Sequence, residues 1–492
     1  MELLKLMPRQ SALRLALAAG VAMAAIAPAL ADDLREALTS AYNTNPALQA
    51  ARATQRATDE GVPLARARAL PSLSGQANYT EFLKKNPVAF TAPDRAVTAD
   101  VNLGLPVYSG GSVKNAIRAA KTRVEAGQED LRATESGVFS QVVAAYMDVI
   151  RDAAIVGLNR NNVEVLEVNL KATSDRFEIG DVTRTDVAQS NSRLALARGD
   201  LRTAEVNLLS SRERYIQVVG KVPADLQPPP PLPGLPATPD DAVAFALENN
   251  PDLIAARERS KAAGFDVKVA NAAKLPTVSL TSTGSYQDFL GTLGGGIPGA
   301  AFQQRATTAQ AGVSVSIPLF QGGAPAAQTR QAQARETATL EQEIGVEREV
   351  IATVRSAFAS LRAANEIIAM NQTAVDAAAL SLEGVRAENS VGNRTILNIL
   401  DAEQELLRAQ VQLVAARRNA YVAGFNLLAA MGRAQARDLG LDGGALYDPQ
   451  VNYERVRGKV FDWDRDPAPV AQATRTVDTP AQDATIPASQ AQ

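Results

Sequence analysis

Leu70-Pro71-Ser72-Leu73-Ser74-Gly75-Gln76-Ala77-Asn78-Tyr79-Thr80 sets Leu73, Gly75, Ala77 and Tyr79 against Ser72, Ser74, Gln76, Asn78 and Thr80. In an extended chain successive side chains point to opposite faces, so this segment has one apolar and one small polar face. The alternation recurs as Val97, Ala99, Val101, Leu103 and Leu105 against Thr98, Asp100, Asn102 and Gly104. It recurs again as Val278, Leu280 and Tyr286 against Thr277, Ser279, Thr281, Thr283 and Ser285, and as Ala309, Ala311, Val313, Val315, Ile317 and Leu319 against Thr308, Gln310, Gly312, Ser314 and Ser316. Runs of about ten residues with this dyad are the pattern of strands that cross a membrane in a β-barrel. They predict two hairpins, at about 71–107 and 276–319. Tyr79, Phe82, Tyr286 and Phe289 gather near the hairpin tips, with Tyr108 and Phe320 at the opposite ends, as two interfacial girdles would.

The two hairpins belong to an internal repeat. Asn45-Pro46-Ala47-Leu48 returns as Asn250-Pro251-Asp252-Leu253, and Leu70-Pro71-Ser72-Leu73-Ser74 as Leu275-Pro276-Thr277-Val278-Ser279, both at an offset of 205. Pro106-Val107-Tyr108 with Gly110-Gly111 returns as Pro318-Leu319-Phe320 with Gly322-Gly323 at 212, as do Gly180 and Gly220 in Gly392 and Gly432. The net insertion of seven residues falls inside the second hairpin, in a window that contains Gly291-Thr292-Leu293-Gly294-Gly295-Gly296. A length change tolerated only there marks an exposed loop tip, expected to face outward.

The first hairpin is followed by a long stretch, from Gly111 to Gly180, that has no proline and is rich in Ala, Arg, Glu, Val and Leu. Heptad spacing holds through Ile117, Val124, Leu131, Val138 and Ala145, then through Val142, Val149, Val156, Val163, Leu170 and Phe177; Val354, Leu361, Ile368, Val375 and Leu382 repeat the second stripe. Such stripes indicate coiled-coil packing. The expected long helices, about 111–179 and 323–391, would each reach about 100 Å at 1.5 Å per residue. Returning helices are expected at about 182–219 and 394–431. Stacked end to end with the helix before the hairpin, each would match the long helix in length.

The remaining chain divides accordingly. Residues 1–31 read as a signal peptide: Lys5, Arg9 and Arg14 in or beside a positive region, an apolar run from Leu15 to Ala27, and Ala29-Leu30-Ala31 before Asp32-Asp33. The run is too short for the roughly 20 residues of a membrane-spanning helix. Repeat one covers 32–222 and repeat two 240–434. Between them 223–239, with Pro228-Pro229-Pro230-Pro231, reads as an extended strap. An equatorial segment (435–464) and a Pro/Ala/Thr/Gln tail (465–492), expected to be disordered, complete the chain.

Composition narrows the function. The 492 residues include no Cys and no His, which removes thiolate and imidazole metal sites, cysteine nucleophiles and Ser/His/Asp triads. No phosphate-cradling or nucleophile motif is present, so no enzyme activity and no cofactor are expected. A net charge of −3, or −5 without the first 31 residues, argues against nucleic acid as a partner. Hydrophobic residues make up 46% of the chain and aromatics only 4%, a composition for closely packed long helices.

Four strands cannot close a barrel, and open sheet edges do not occur in lipid, so the chain is expected to oligomerise. An eight-stranded dimer would fill its interior with side chains. The small polar inward faces suit a wet lumen and favour a twelve-stranded homotrimer continued by a hollow helical cylinder. A structural coiled-coil envelope protein without a transport role is the alternative reading.

The twofold repeat resembles the TolC family of outer-membrane efflux proteins. The resemblance rests on the Asn-Pro-x-Leu openings at Asn45 and Asn250, the Leu-Pro-x-(Leu/Val)-Ser strand entries, the Pro-(Val/Leu)-(Tyr/Phe)-x-Gly-Gly exits, and the turns Arg176-Phe177-Glu178-Ile179-Gly180 through Thr185-Asp186-Val187 and Val391-Gly392-Asn393-Arg394-Thr395-Ile396 through Asp401-Ala402. It covers about residues 33–432. It implies a trimeric outer-membrane channel-tunnel of a Gram-negative bacterium, a mixed α and β membrane protein embedded in outer-membrane lipid. Such a channel receives substrates, proteins or small molecules, from an inner-membrane ABC or proton-driven transporter through a periplasmic adaptor. For the periplasmic mouth it implies gating and selectivity roles for Asp186, Asn389, Arg394, Asn398 and Asp401, with Asn389 where the family has Tyr and Asn398 where it has one of two acidic rings. The turns Gly180-Asp181 and Gly392-Asn393 resemble its adaptor-docking tips.

Overall fold

The computed structural model describes residues 33–84, 92–294, 302–441 and 446–486. The expected signal peptide and the hairpin tips at 85–91 and 295–301 lie outside the described residues.

Four strands, β1 (Ser72–Glu81), β2 (Arg95–Ser109), β3 (Thr277–Asp288) and β4 (Arg305–Ser316), form one antiparallel sheet in chain order. The register aligns the dyads. Leu73 faces Leu103 and Ala77 faces Ala99; Ala99 also faces Tyr286, Leu105 faces Leu280, and Leu280 in turn faces Val313. The apolar side chains of all four strands therefore share one face. Ser74, Asn102, Thr283 and Gln310 lie in one row on the other, where the Thr283 hydroxyl donates to Asn102 Oδ1 at 3.0 Å. The apolar face is uncovered in a single chain, Leu73 being 72% exposed. β2 runs past Pro106, with the register slipping between Pro106 and Tyr108, since proline has no N–H for the ladder and is accommodated at a bulge.

Ten helices are present among the described residues: α1 (Leu34–Thr44), α2 (Pro46–Asp59), α3 (Gly61–Ala67), α4 (Ser112–Glu178), α5 (Arg184–Val219), α6 (Pro239–Asn249), α7 (Pro251–Ala272), α8 (Ala324–Ser390), α9 (Ile396–Ala430) and α10 (Pro449–Val456). None is long and apolar enough to cross a membrane. α4 and α8 have 67 residues each. Away from the sheet α4 runs beside α5 and α9, where Val163 and Leu166 pack with Leu194, Ala197 and Leu400. Near the sheet its partners are α3, through Val62 against Ala120 and Val124, and α7 of the other repeat, through the ion pairs Arg123–Asp266 and Arg259–Asp130. The sequence expectation paired each long helix within its own repeat, and those partners are present, α5, α2 and α3 beside α4 and α9 and α7 beside α8; the packing of α4 on α7 and α9 is additional. The cross-repeat packing follows from the sheet: β2 pairs with β3, so the helix leaving β2 lies beside the helix entering β3.

The recurrent Asn-Pro has a structural reason. Asn45 Oδ1 accepts from Ala47 N and Leu48 N at 2.9 and 3.4 Å, capping α2, while its Nδ2 donates to Val218 O at the end of α5 at 2.9 Å. Asn250 repeats the arrangement with Leu253 N and Ala430 O, at 3.2 and 2.8 Å. The proline occupies the first helical position, where a missing N–H costs nothing. Leu48 and Leu253 are then fully buried in two equatorial cores, the first around Phe139, Tyr146, Tyr215 and Phe425, the second around Val243, Val354 and Leu427.

The tail departs from the disorder expected of its composition. Residues 466–486 carry no helix or strand, yet they lie on the equator. Arg455 donates to Asp466 at 2.7 and 2.9 Å, Arg212 donates to the carbonyl oxygens of Asp483 and Thr485, and Ile486 is buried in the first core. Composition averages over a segment, whereas one apolar anchor and one part-buried guanidinium suffice to hold it. The Arg455 guanidinium pulls the Asp466 carboxyl down to about 2, so this latch persists above the ordinary carboxylate range and is lost only as pH falls through the lowered value. Burial of an Ile side chain stabilises by about 1.5–3 kcal/mol. A chain stopped after Asp466 is accordingly expected to unfold at a lower temperature by circular dichroism, with Arg212→Ala reproducing part of the loss; an unchanged midpoint in both would return the tail to the disordered class.

Candidate functional site

The end of the molecule away from the sheet is formed by two equivalent turns. Gly180, between α4 and α5, and Gly392, between α8 and α9, have φ of 83° and 84°. At each, the glycine N–H and the next N–H turn back onto the helix: Gly180 N to Phe177 O and Asp181 N to Arg176 O at 3.0 and 2.9 Å, Gly392 N to Asn389 O and Asn393 N to Glu388 O both at 2.9 Å. This left-handed closure satisfies the last helical carbonyls and favours glycine. Each turn carries one ion pair, Arg176–Asp181 at 2.8 Å and Arg394–Glu388 at 2.6 Å. Each also presents an apolar side chain just before its glycine, Ile179 at 80% and Val391 at 71% exposure.

The returning helices open on matching capping boxes. Thr183 Oγ1 and N donate to Asp186 Oδ2, both at 2.8 Å, and Asp186 N returns a bond to Thr183 Oγ1 at 3.3 Å. Thr395 and Asn398 form the same box at α9, where Asn398 Oδ1 accepts from Thr395 Oγ1 and N at 2.9 and 3.2 Å. These bonds satisfy donors that a helix start otherwise leaves open. The Thr183 hydroxyl and backbone N–H also hold the Asp186 carboxyl below its usual range. Asn389 Nδ2 donates to Arg394 O at 2.6 Å within its own turn.

The five residues expected at the mouth therefore do not gather into one cluster within a chain. Asp186 and Asn398 serve their own helix ends, and Asn389 and Arg394 serve the α8–α9 turn. Only Asp401 reaches the other hairpin: Arg193 Nη2 on α5 donates to Asp401 Oδ1 at 2.6 Å, and Arg193 Nη1 donates to Gln404 Oε1. A second crossing lies nearby. Glu403 on α9, only 7% exposed, accepts from Asn169 Nδ2 on α4 at 3.1 and 3.2 Å and from Arg386 Nη2 on α8 at 3.0 Å. These bonds partner the oxygens of a carboxylate withdrawn from solvent.

Arg193, Gln404, Glu403, Asn169 and Arg386 were not singled out by the sequence. The available signal was Arg193, seven residues after Asp186 and so on the same stripe of α5. A partner more than two hundred residues distant leaves no local pattern.

Comparison with known proteins agrees with this architecture. Residues 37–221 and 243–433 each match the outer membrane efflux protein family model, and the gap between them spans the proline strap. The chain is 36% identical over 436 residues to the outer membrane efflux protein BepC of Brucella suis, covering 88% of this chain and 92% of that one. It is 27% identical over 468 residues to the outer membrane protein TolC of Escherichia coli, covering 90% and 93%. The solved Campylobacter jejuni CmeC outer membrane channel superposes with a TM-score of 0.71 at 17% identity, over 86% of this chain and 89% of that one. The sheet supplies four strands per chain of a barrel and the long helices the tunnel beneath it, and the protein is a member of the outer membrane efflux protein family, located in the outer membrane.

Proposed function

We propose that three copies of the chain close a twelve-stranded barrel in outer-membrane lipid and a helical tunnel below it, through which proteins or small molecules leave the cell. The observation that carries this reading is the pair of open edges. β1 and β4 are the outer strands of a sheet whose one face carries the apolar side chains of all four strands along its middle, and their free edges would be unsatisfied in lipid. The helices have matching free flanks: Ile344, Met370 and Leu380 are exposed on α8, and Leu196 and Val206 on α5. Two different edges on opposite sides of one chain make a head-to-tail contact that closes as a ring. The polar face suits the lumen of twelve strands better than the filled interior of eight.

The exposed apolar pair Ile179 and Val391 at the far turns supports docking there to a periplasmic adaptor, which connects the tunnel to an inner-membrane ABC or proton-driven transporter. Asp186, Asn389, Arg394, Asn398 and Asp401 then surround the mouth, with the Gly180-Asp181 and Gly392-Asn393 turns at its rim. Ile179→Asp combined with Val391→Asp is expected to abolish export in cells while leaving a heat-resistant trimer band in extracted outer membranes. Normal export by this variant would overturn the docking assignment, and the absence of any such band in the parent protein would overturn the trimer.

A further inference from the structure

Where β2 passes into α4 the surface holds a basic cleft of about 550 Å³, lined among others by Tyr108, Lys114, Ile117, Arg118 and Lys121. The spacing of Lys114, Arg118 and Lys121 puts them on one face of α4. All three are exposed, and none makes an ion pair among the described residues. At the repeat offset of 212 the second long helix has Ala326, Arg330 and Gln333 in their places. A helix can therefore leave the sheet without the two lysines, and packing does not account for them.

The bulge in β2 decides which side of the sheet this cleft continues. Because the register slips after Pro106, Tyr108 rather than Val107 pairs with Val278, on the apolar face that continues through Leu105 and Leu280. Tyr108, 49% exposed, thus closes the apolar face at its helical end, and the three cations follow it. A second segment lies against the same helices. Tyr453 of α10 packs on Val62, Ala120 and Val124, and Arg66 Nη1 at the end of α3 donates to Arg457 O at 2.9 Å. The loop that follows presents Phe461 and Trp463, the chain's single tryptophan, at 72% and 76% exposure. Aromatic rings at an apolar–polar boundary are the mark of a membrane interface.

We propose that Lys114, Arg118, Lys121 and Tyr108 bind the phosphate of an acidic phospholipid, one per chain, in the leaflet next to the helices. The inference rests on the reading above that the apolar face of the sheet meets lipid, since the cleft is the continuation of that face. Ammonium and guanidinium groups donate to the phosphodiester oxygens, and the uncompensated charge of the row favours an anionic headgroup over a zwitterionic one.

Purified full-length protein in neutral detergent, titrated with phosphatidylglycerol or with phosphatidylcholine of the same acyl chains and read by native mass spectrometry, tests this. Phosphatidylglycerol is expected to bind at about tenfold lower concentration than phosphatidylcholine. A cation beside an acidic lipid accounts for about fivefold, so Lys114→Gln combined with Lys121→Gln should weaken phosphatidylglycerol binding about twentyfold and leave the trimer intact. Arg118 is kept, because its guanidinium also lies 6.0 Å from the centre of the Phe265 ring. Lys114→Arg with Lys121→Arg should stay within about twofold of the parent, since the charge is retained. Arg330→Gln, at the counterpart position of the second repeat, should bind as the parent does. Equal binding of the two lipids, unchanged binding in the glutamine pair, or equal loss in Arg330→Gln overturns the site. Inorganic phosphate that displaces the lipid at equal concentration overturns the lipid assignment in favour of free phosphate, and export that fails in the glutamine pair while its lipid binding is normal overturns it in favour of an acidic protein partner. All these results leave the channel reading intact; a parent protein recovered as monomer, with lipid binding indifferent to the lysines, overturns both.

Discussion

Leu103→Arg is expected to eliminate the assembled protein from the outer membrane, and Asn102→Arg, one residue away, to leave assembly close to normal. Leu103 lies midway along β2 on the apolar face, between Leu73 and Ser282, whereas Asn102 lies on the polar face between Ser74 and Thr283. An arginine facing lipid near the bilayer midplane costs about 2–4 kcal/mol, so three copies in one barrel cost roughly 6–12 kcal/mol, comparable with the whole stability of a domain. On the luminal side the same side chain meets water. Fractionated membranes resolved without heating give the readout. Equal loss in both variants, or in neither, would contradict the assignment of faces.

The second large effect is expected at the end of α9. Gly432 has φ of 79°, and a Cβ there would lie 2.3 Å from Asn249 O and 2.9 Å from Asn249 C. Both are backbone atoms, next to Asn250, whose side chain ties α7 to the end of α9. Gly432→Ala therefore combines about 1–2 kcal/mol of left-handed strain with a collision that only backbone movement relieves, and is expected to cost about 3–5 kcal/mol in all. Gly392 has the same conformation, φ 84°, with nothing within 4 Å of the added carbon. Gly392→Ala should carry the strain alone, about 1–2 kcal/mol. Thermal unfolding of the two variants separates these contributions, and equal midpoints would show that the packing between α9 and the α6–α7 junction is loose enough to accept the added carbon.

The parts of this protein that were readable in sequence are those governed by local periodicity. The period-two runs at Leu73–Tyr79 and Val97–Leu105 fall in β1 and β2 because each face meets one environment along its length. The heptads from Val124 to Val163 are buried along α4 because each faces a neighbouring helix. Asn45 and Asn250 could be matched as repeats, but their second bonds, to Val218 O and Ala430 O, depend on where the returning helices end. At the mouth the turns were legible through Gly180 and Gly392. The crossing contacts were not, because Arg193 and Asp401 stand on different hairpins and neither breaks a local pattern. The tail misled for the opposite reason: its composition is that of a solvated chain, and Ile486 is a single anchor in it.

A trimeric barrel requires β1 of one chain to pair with β4 of the next and three chains to close the ring. The protein contains no cysteine, so a cysteine introduced at Gln76 on β1 and a second placed in turn at Thr308, Gln310, Gly312 or Ser314 on the same face of β4 provide the only thiols. Within one chain the two strands are separated by β2 and β3, three strand spacings or about 14 Å, well beyond the reach of a disulfide. Oxidation in intact outer membranes is expected to give, for at least one pair, covalent species of two and three chains and nothing larger. No intermolecular bond at any position, or a ladder continuing past three, would contradict the closed trimeric barrel.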